Sequence, residues 1–129
     1  METNNNVDDI PTAEQVKNLL EYLDILYPGG KPILPEYNSP TGSTFYEDEV
    51  YKFITLLTTD GWKTVYNAIE THRIMRDPEK IRNATWHEIK SIFSSCRYGE
   101  RICTGFFGGA IKSGLIQRVL LRVKELAQQ

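Results

Sequence analysis

Three times along the chain a threonine is followed three residues later by glutamine or glutamate, and then by apolar residues at helical spacing. The pairs are Thr12–Gln15, Thr44–Glu47 and Thr85–Glu88. Each reads as a capping box, in which the hydroxyl and the longer side chain satisfy reciprocal amides left open at a helix start. After Thr12 the set Val16, Leu19, Leu20, Leu23, Ile25, Leu26 and Tyr27 keeps helical spacing, and Pro28-Gly29-Gly30 stops the helix. After Thr44, the acidic run Glu47, Asp48 and Glu49 suits the positive end of a helix dipole, and Val50, Phe53, Ile54 and Leu57 form the buried stripe. After Thr85 the stripe is Ile89, Ile92, Phe93 and Cys96, with Gly99 expected to interrupt or kink the helix.

The gaps fill in the same way. Asp60-Gly61 breaks the chain, and Asp60 can cap a helix whose stripe is Trp62, Val65, Tyr66 and Ile69. Asp77-Pro78 opens a short turn of helix, with proline where its missing amide costs nothing. Two helices, over 101–113 and 115–127, close the chain around Gly114, which suits a left-handed helix end. Gly105, Gly108 and Gly109 fall inside the first of them, where each costs about 1 kcal/mol relative to alanine, so close packing must offset them. No stretch alternates with period two over enough residues to argue a strand. The expectation is an all-α single domain of about six helices.

At 129 residues and 14.8 kDa the chain can bury one hydrophobic core without staples. The domain is expected over 10–129, after a polar and acidic segment 1–9 that reads as disordered. Pro28–Gly42 holds four prolines and three glycines and reads as a loop of extended character, long enough to be functional or mobile. No window approaches the ~18 apolar residues of a membrane span, and the acidic start is unlike a secretory signal. Two cysteines form no disulfide framework, so a cytoplasmic, reducing setting is expected. Residues 1–60 carry three basic against eleven acidic residues, whereas 61–129 carry twelve against six. The first reading of that asymmetry is two halves attracting each other across one core.

Chemistry-bearing patterns are sparse. His72 and His87 lack metal-ligand spacing, and Cys96-x6-Cys103 matches no zinc or redox motif. Both cysteines are expected as small core residues, with an activated Cys103 thiolate beside Arg97 or Arg101 as the sharper alternative. Arg97 and Arg101 lie one helical turn apart and could clamp a carboxylate or phosphate; an internal salt bridge to the acidic half is the plainer expectation. In either case the guanidinium groups should be partly buried. No catalytic residue, metal or cofactor is expected. The segment from Trp62 to Lys124 resembles a family of small, functionally uncharacterised bacterial helical domains. The resemblance rests on Trp62, the pattern R-x3-R-x-C-x-G at Arg97, Arg101, Cys103 and Gly105, and then Gly114, Leu120, Arg122 and Lys124. Ile102 departs from it, standing where the family usually has an aromatic residue. The resemblance implies an all-helical fold and a bacterial or phage source, and no activity.

The expected function is therefore a non-enzymatic, regulatory interaction module. Its partner is expected to be another protein, or a second copy of the chain, meeting either the loop with Tyr37 or the acidic face of Glu47, Asp48 and Glu49. One alternative is a nucleic-acid binder using Gln117, Arg118, Arg122 and Lys124 on the basic last helix, a helix-turn-helix outline. The other is a small anionic ligand held by Arg97 and Arg101 beside Cys103.

Overall fold

The computed structural model describes residues 10–38, 40, 42, 44–59 and 61–129, so the expected disorder of 1–9 lies outside the described residues. Among the described residues there are seven α-helices and one small hairpin, in a single domain. The helices are α1 (Ala13–Leu26), α2 (Asp48–Leu56), α3 (Ala68–Met75), α4 (Pro78–Arg82), α5 (Trp86–Ile102), α6 (Phe106–Lys112) and α7 (Leu115–Ala127). The strands are β1 (Glu36–Asn38) and β2 (Thr44–Tyr46), antiparallel, with Tyr37 opposite Phe45.

Two of the three threonine boxes work as expected. Thr12 accepts from the Gln15 amide while Gln15 reaches back to the Thr12 N–H, and Thr85 and Glu88 do the same at the start of α5. The third does not. Thr44 lies in β2, and α2 begins only at Asp48, behind an extended Glu47 that makes no side-chain cap. Long-range contacts override the local signal here. Glu36 pairs with Tyr46 across the hairpin, the Glu47 N–H donates to the Pro35 carbonyl at 2.9 Å, and Tyr46 is buried. Three-residue strands are too short for alternation to register in sequence, which hides a hairpin that begins in the Pro28–Gly42 loop and ends beyond it.

The helix expected around Trp62 is also displaced. Residues 61–67 are turn and irregular chain, and α3 starts at Ala68, capped by the Asn67 side chain. Trp62 plugs the core against Phe93, at 5.9 Å between ring centroids, while Val65 and Ile69 are exposed. Thr64 donates its N–H to Ser94 Oγ of α5, tying the segment to that helix. Asp60 lies outside the described residues. The proline start at Asp77-Pro78 is as expected.

Gly99 does not break α5, which runs on to Ile102. Its bare Cα instead lies under the Phe106 ring, where an added Cβ would come within 2.7 Å. The next helix accordingly starts at Phe106, not near 101, after a turn at Cys103–Gly105. Gly114 takes the left-handed conformation expected of it, φ 87°.

The core gathers Leu19 and Leu26 of α1, Phe53 of α2, Trp62, Ile89 and Phe93 of α5, Phe107 of α6, and Ile116, Val119 and Val123 of α7, all without exposed surface. The α5 helix runs through the middle, buried continuously from Ile89 to Cys96 and flanked by α3, α6 and α7. The first and last helices lie against each other, and at the end of α1 the Tyr27 hydroxyl donates to the Ile111 carbonyl of α6 at 2.7 Å. No helix among the described residues is long and apolar enough to cross a membrane.

Candidate functional site

The hairpin has two unlike faces, because successive side chains of a strand point opposite ways. Outward, Tyr37 and Phe45 form a cross-strand pair with ring centroids 6.0 Å apart, 48% and 42% exposed. Inward, Tyr46 reaches the start of α6. Its hydroxyl donates to Glu100 Oε1 at 2.6 Å and accepts the Gly108 N–H at 2.9 Å. Such closeness requires glycine at 108, since a Cβ there would meet the Tyr46 ring at 2.8 Å. The same Glu100 oxygen accepts the Phe107 N–H at 2.8 Å, and Oε2 accepts the Gly105 N–H at 3.3 Å. Glu100 thus supplies the side-chain cap that Gly105 cannot, closing the start of α6 from the end of α5.

Glu36, also inward, accepts from Lys112 Nζ at 2.8 Å. Tyr51, one turn into α2, stacks edge-on to Tyr46 at 5.6 Å, and its hydroxyl accepts the Tyr46 N–H at 3.2 Å. Its ring remains 45% exposed. Between these groups lies a small pocket of about 30 Å³, lined by Glu36, Phe45, Tyr46, Tyr51, Glu100, Thr104 and Gly105. The Tyr46 phenol is pushed well above its ordinary value, first by burial and then by its bond to Glu100, with the Glu100 and Glu36 charges adding to it.

The acidic triplet adjoins this face. Glu47 and Asp48 are exposed, and Glu49 turns away to pair with Lys52 at 3.3 Å, so the three fan around α2. Tyr37 and the acidic start of α2, expected as alternative surfaces, are neighbours along one hairpin-to-helix segment.

The arginine–cysteine cluster is arranged otherwise than expected. Arg97 is half-buried and Arg101 is exposed, and among the described residues neither makes an ion pair, so the internal bridge to the acidic half is not formed. The two halves do meet through Lys112 and Glu36. Cys103 is exposed at the end of α5, not in the core, because the helix finishes in a solvent-facing turn. Cys96 is fully buried, and burial pushes its thiol up to about 12.

On the final helix, Gln117 donates to the Gly30 carbonyl at 3.1 Å and Arg118 is half-buried with its Nε unpartnered. The Arg122 Nε donates to the Ala84 carbonyl at 2.9 Å while its guanidinium pairs with Glu125. Lys124 is exposed. Two larger hollows lie elsewhere. One is a polar cleft of about 490 Å³ between α3, α4 and α5, lined in part by Arg73, Lys80 and His87. The other is an apolar groove of about 670 Å³ beside Ile10, Trp86 and Leu126. Among the described residues no three His, Cys, Asp or Glu side chains are placed to hold a metal ion.

Sequence reasoning named Tyr37 and missed Glu36, Phe45, Tyr46, Tyr51 and Glu100. A signal was present: four aromatic residues between positions 37 and 51, in a stretch otherwise polar and acidic.

No curated protein and no solved structure matches the chain. A family model does, over residues 11–129, so the match takes in the acidic first half and the hairpin as well as the segment from Trp62 on. The chain belongs to this family, a family of unknown function (DUF6508).

Proposed function

We propose that this is a non-enzymatic protein-interaction module whose docking face is the outer side of the hairpin together with the start of α2. One observation carries the reading: the rings of Tyr37, Phe45 and Tyr51 stand close to half-exposed on adjoining elements whose inward side is locked by buried hydrogen bonds. Exposed aromatic side chains on a fixed backbone lose little freedom on docking and supply large contact area, which is why tyrosine is enriched at interface centres. Glu47 and Asp48 would rim the face and favour a basic partner surface. The chain's small size and acidic net charge fit a regulatory role in a bacterial or phage cytoplasm.

The hairpin face is preferred to the basic last helix because Gln117 and Arg122 already spend their donors inside the domain. It is preferred to the Arg97–Arg101 pair because Arg101 stands exposed and neither arginine lines any of the three hollows described above.

The test compares capture of proteins from nuclease-treated lysate by the native chain and by a Tyr37→Ser/Phe45→Ser variant. A captured protein that is lost with the variant, while the thermal midpoint stays within a few degrees, supports the face. An identical captured set for both chains removes it. Duplex DNA titrated at two salt concentrations checks the nucleic-acid alternative, since phosphate binding must weaken as salt rises.

A further inference from the structure

The small pocket at the edge of this face has a chemistry of its own. Phe45, Tyr46 and Tyr51 line it, and its carboxylates are Glu36 and Glu100. Among the described residues Glu36 Oε2 has no hydrogen-bond partner and Glu100 Oε2 has only the long bond from Gly105, so both keep acceptor capacity. Lys112 pairs with Glu36, and among the described residues no cationic side chain pairs with Glu100, which leaves the two carboxylates one negative charge in excess. Ring faces attract cations, and carboxylates in a partly desolvated setting attract them more strongly than in water. The Tyr46 phenol is displaced upward first by burial, and Glu100 and Glu36 add to that displacement. At about 30 Å³ the pocket has room for roughly one or two water-sized groups. That suits the compact ammonium of a lysine and is too small for the planar fork of an arginine.

We infer that this pocket receives a lysine side chain of the partner protein, its ammonium held between Glu36 and Glu100 and its stem lying across Phe45 and Tyr51. The inference rests on the docking face proposed above and names the anchor by which a partner binds there. Lysine places a cation at the end of a four-carbon stem, so the stem can cross the half-exposed rings while the charge enters.

The experiment titrates isotopically labelled protein with Nα-acetyl-lysine methylamide and follows backbone amides by NMR. Parallel titrations use the norleucine analogue, which keeps the stem without the charge, and ammonium chloride at matched ionic strength. Saturable shifts centred on Thr104, Gly105 and Phe107 with the lysine probe alone are expected. Phe45→Leu and Glu36→Gln should each weaken the probe by roughly threefold or more, as loss of one cation–π or charge contact implies. Tyr51→Phe, which keeps the ring, should bind within a factor of about two of the native chain. Both weakening substitutions are at partly exposed positions, and the native-like spectrum of each variant shows that it is folded.

Absence of saturable shifts overturns the lysine pocket. So do equal shifts with norleucine, which would make it an apolar slot, or with ammonium chloride, an adventitious ion only. A Tyr37→Ser/Phe45→Ser variant that loses its partner while the lysine probe fails on the native chain would leave the docking face standing and remove the pocket alone. The converse result would keep the pocket and remove the face.

Discussion

A single phenol oxygen, that of Tyr46, joins the hairpin to α6 by donating to Glu100 and accepting from Gly108. Tyr46→Phe leaves the buried Gly108 N–H without its partner, and an orphaned buried donor costs about 1–3 kcal/mol. Urea unfolding should show that loss, and a stability equal to that of the native chain would mean water replaces the hydroxyl. Gly108→Ala attacks the same contact from the other side. The added methyl must push the Tyr46 ring away, and overpacking of this kind costs about 1–3 kcal/mol. The cysteines offer a contrast that needs no mutation. Cys103 should react with a maleimide in the native protein and Cys96 only after denaturation, so intact-mass measurement should show one adduct before urea and two after it. At this scale the sequence was an uneven guide. Two cysteines of similar local setting look alike on paper. Only the place where α5 ends, fixed by Phe106 folding back onto Gly99, separates the buried one from the exposed one.

Among elements, the instructive comparison is between threonine boxes of the same pattern. Those at Thr12 and Thr85 form through hydrogen bonds between residues three apart, so local bonds decide. Thr85→Ala should therefore destabilise the domain by about 1 kcal/mol, read as a lower urea midpoint with unchanged slope. Thr44-x-x-Glu47 carries the same signal, but β1 lies within reach and Tyr46 gains a buried partner 54 residues away, so strand pairing wins. The stripe expected at Trp62, Val65, Tyr66 and Ile69 fails as well. Trp62 is buried against Phe93 from a non-helical segment, while Val65 and Ile69 stay exposed. Helices α1, α4, α5 and α7 were legible because their caps and stripes are local. The hairpin that carries the candidate site was not, because it depends on contacts with α5 and α6 that no window of sequence contains.

For the molecule as a whole, the buried thiol and phenols set an alkaline limit. Cys96 is held at about 12 against 9.0 for the free thiol, and Tyr27 at about 12 against 10.0, in both cases chiefly by burial. Both groups are neutral when protonated and raised in the folded state. The stability they contribute is therefore complete below about pH 9 and is lost as pH climbs toward about 12. Thermal midpoints should stay level up to about pH 9 and then decline. Cys96→Ala, though less stable at neutral pH, should show a shallower decline over the first pH unit of that range, and an unchanged slope would point to other groups. The all-α, single-domain character was readable from caps and stripes, whereas the way the chain closes on itself was not. Helix α1 rests on α7, and the Tyr27 hydroxyl finds its carbonyl 84 residues further along. On the ribosome, then, the part of the first helix's apolar stripe that α7 covers waits through nearly the whole of the domain's translation for its partner. Until the last helix arrives the nascent chain is open to chaperones and proteases, so a stop codon shortly before Leu115 should yield a degraded fragment instead of a smaller stable domain.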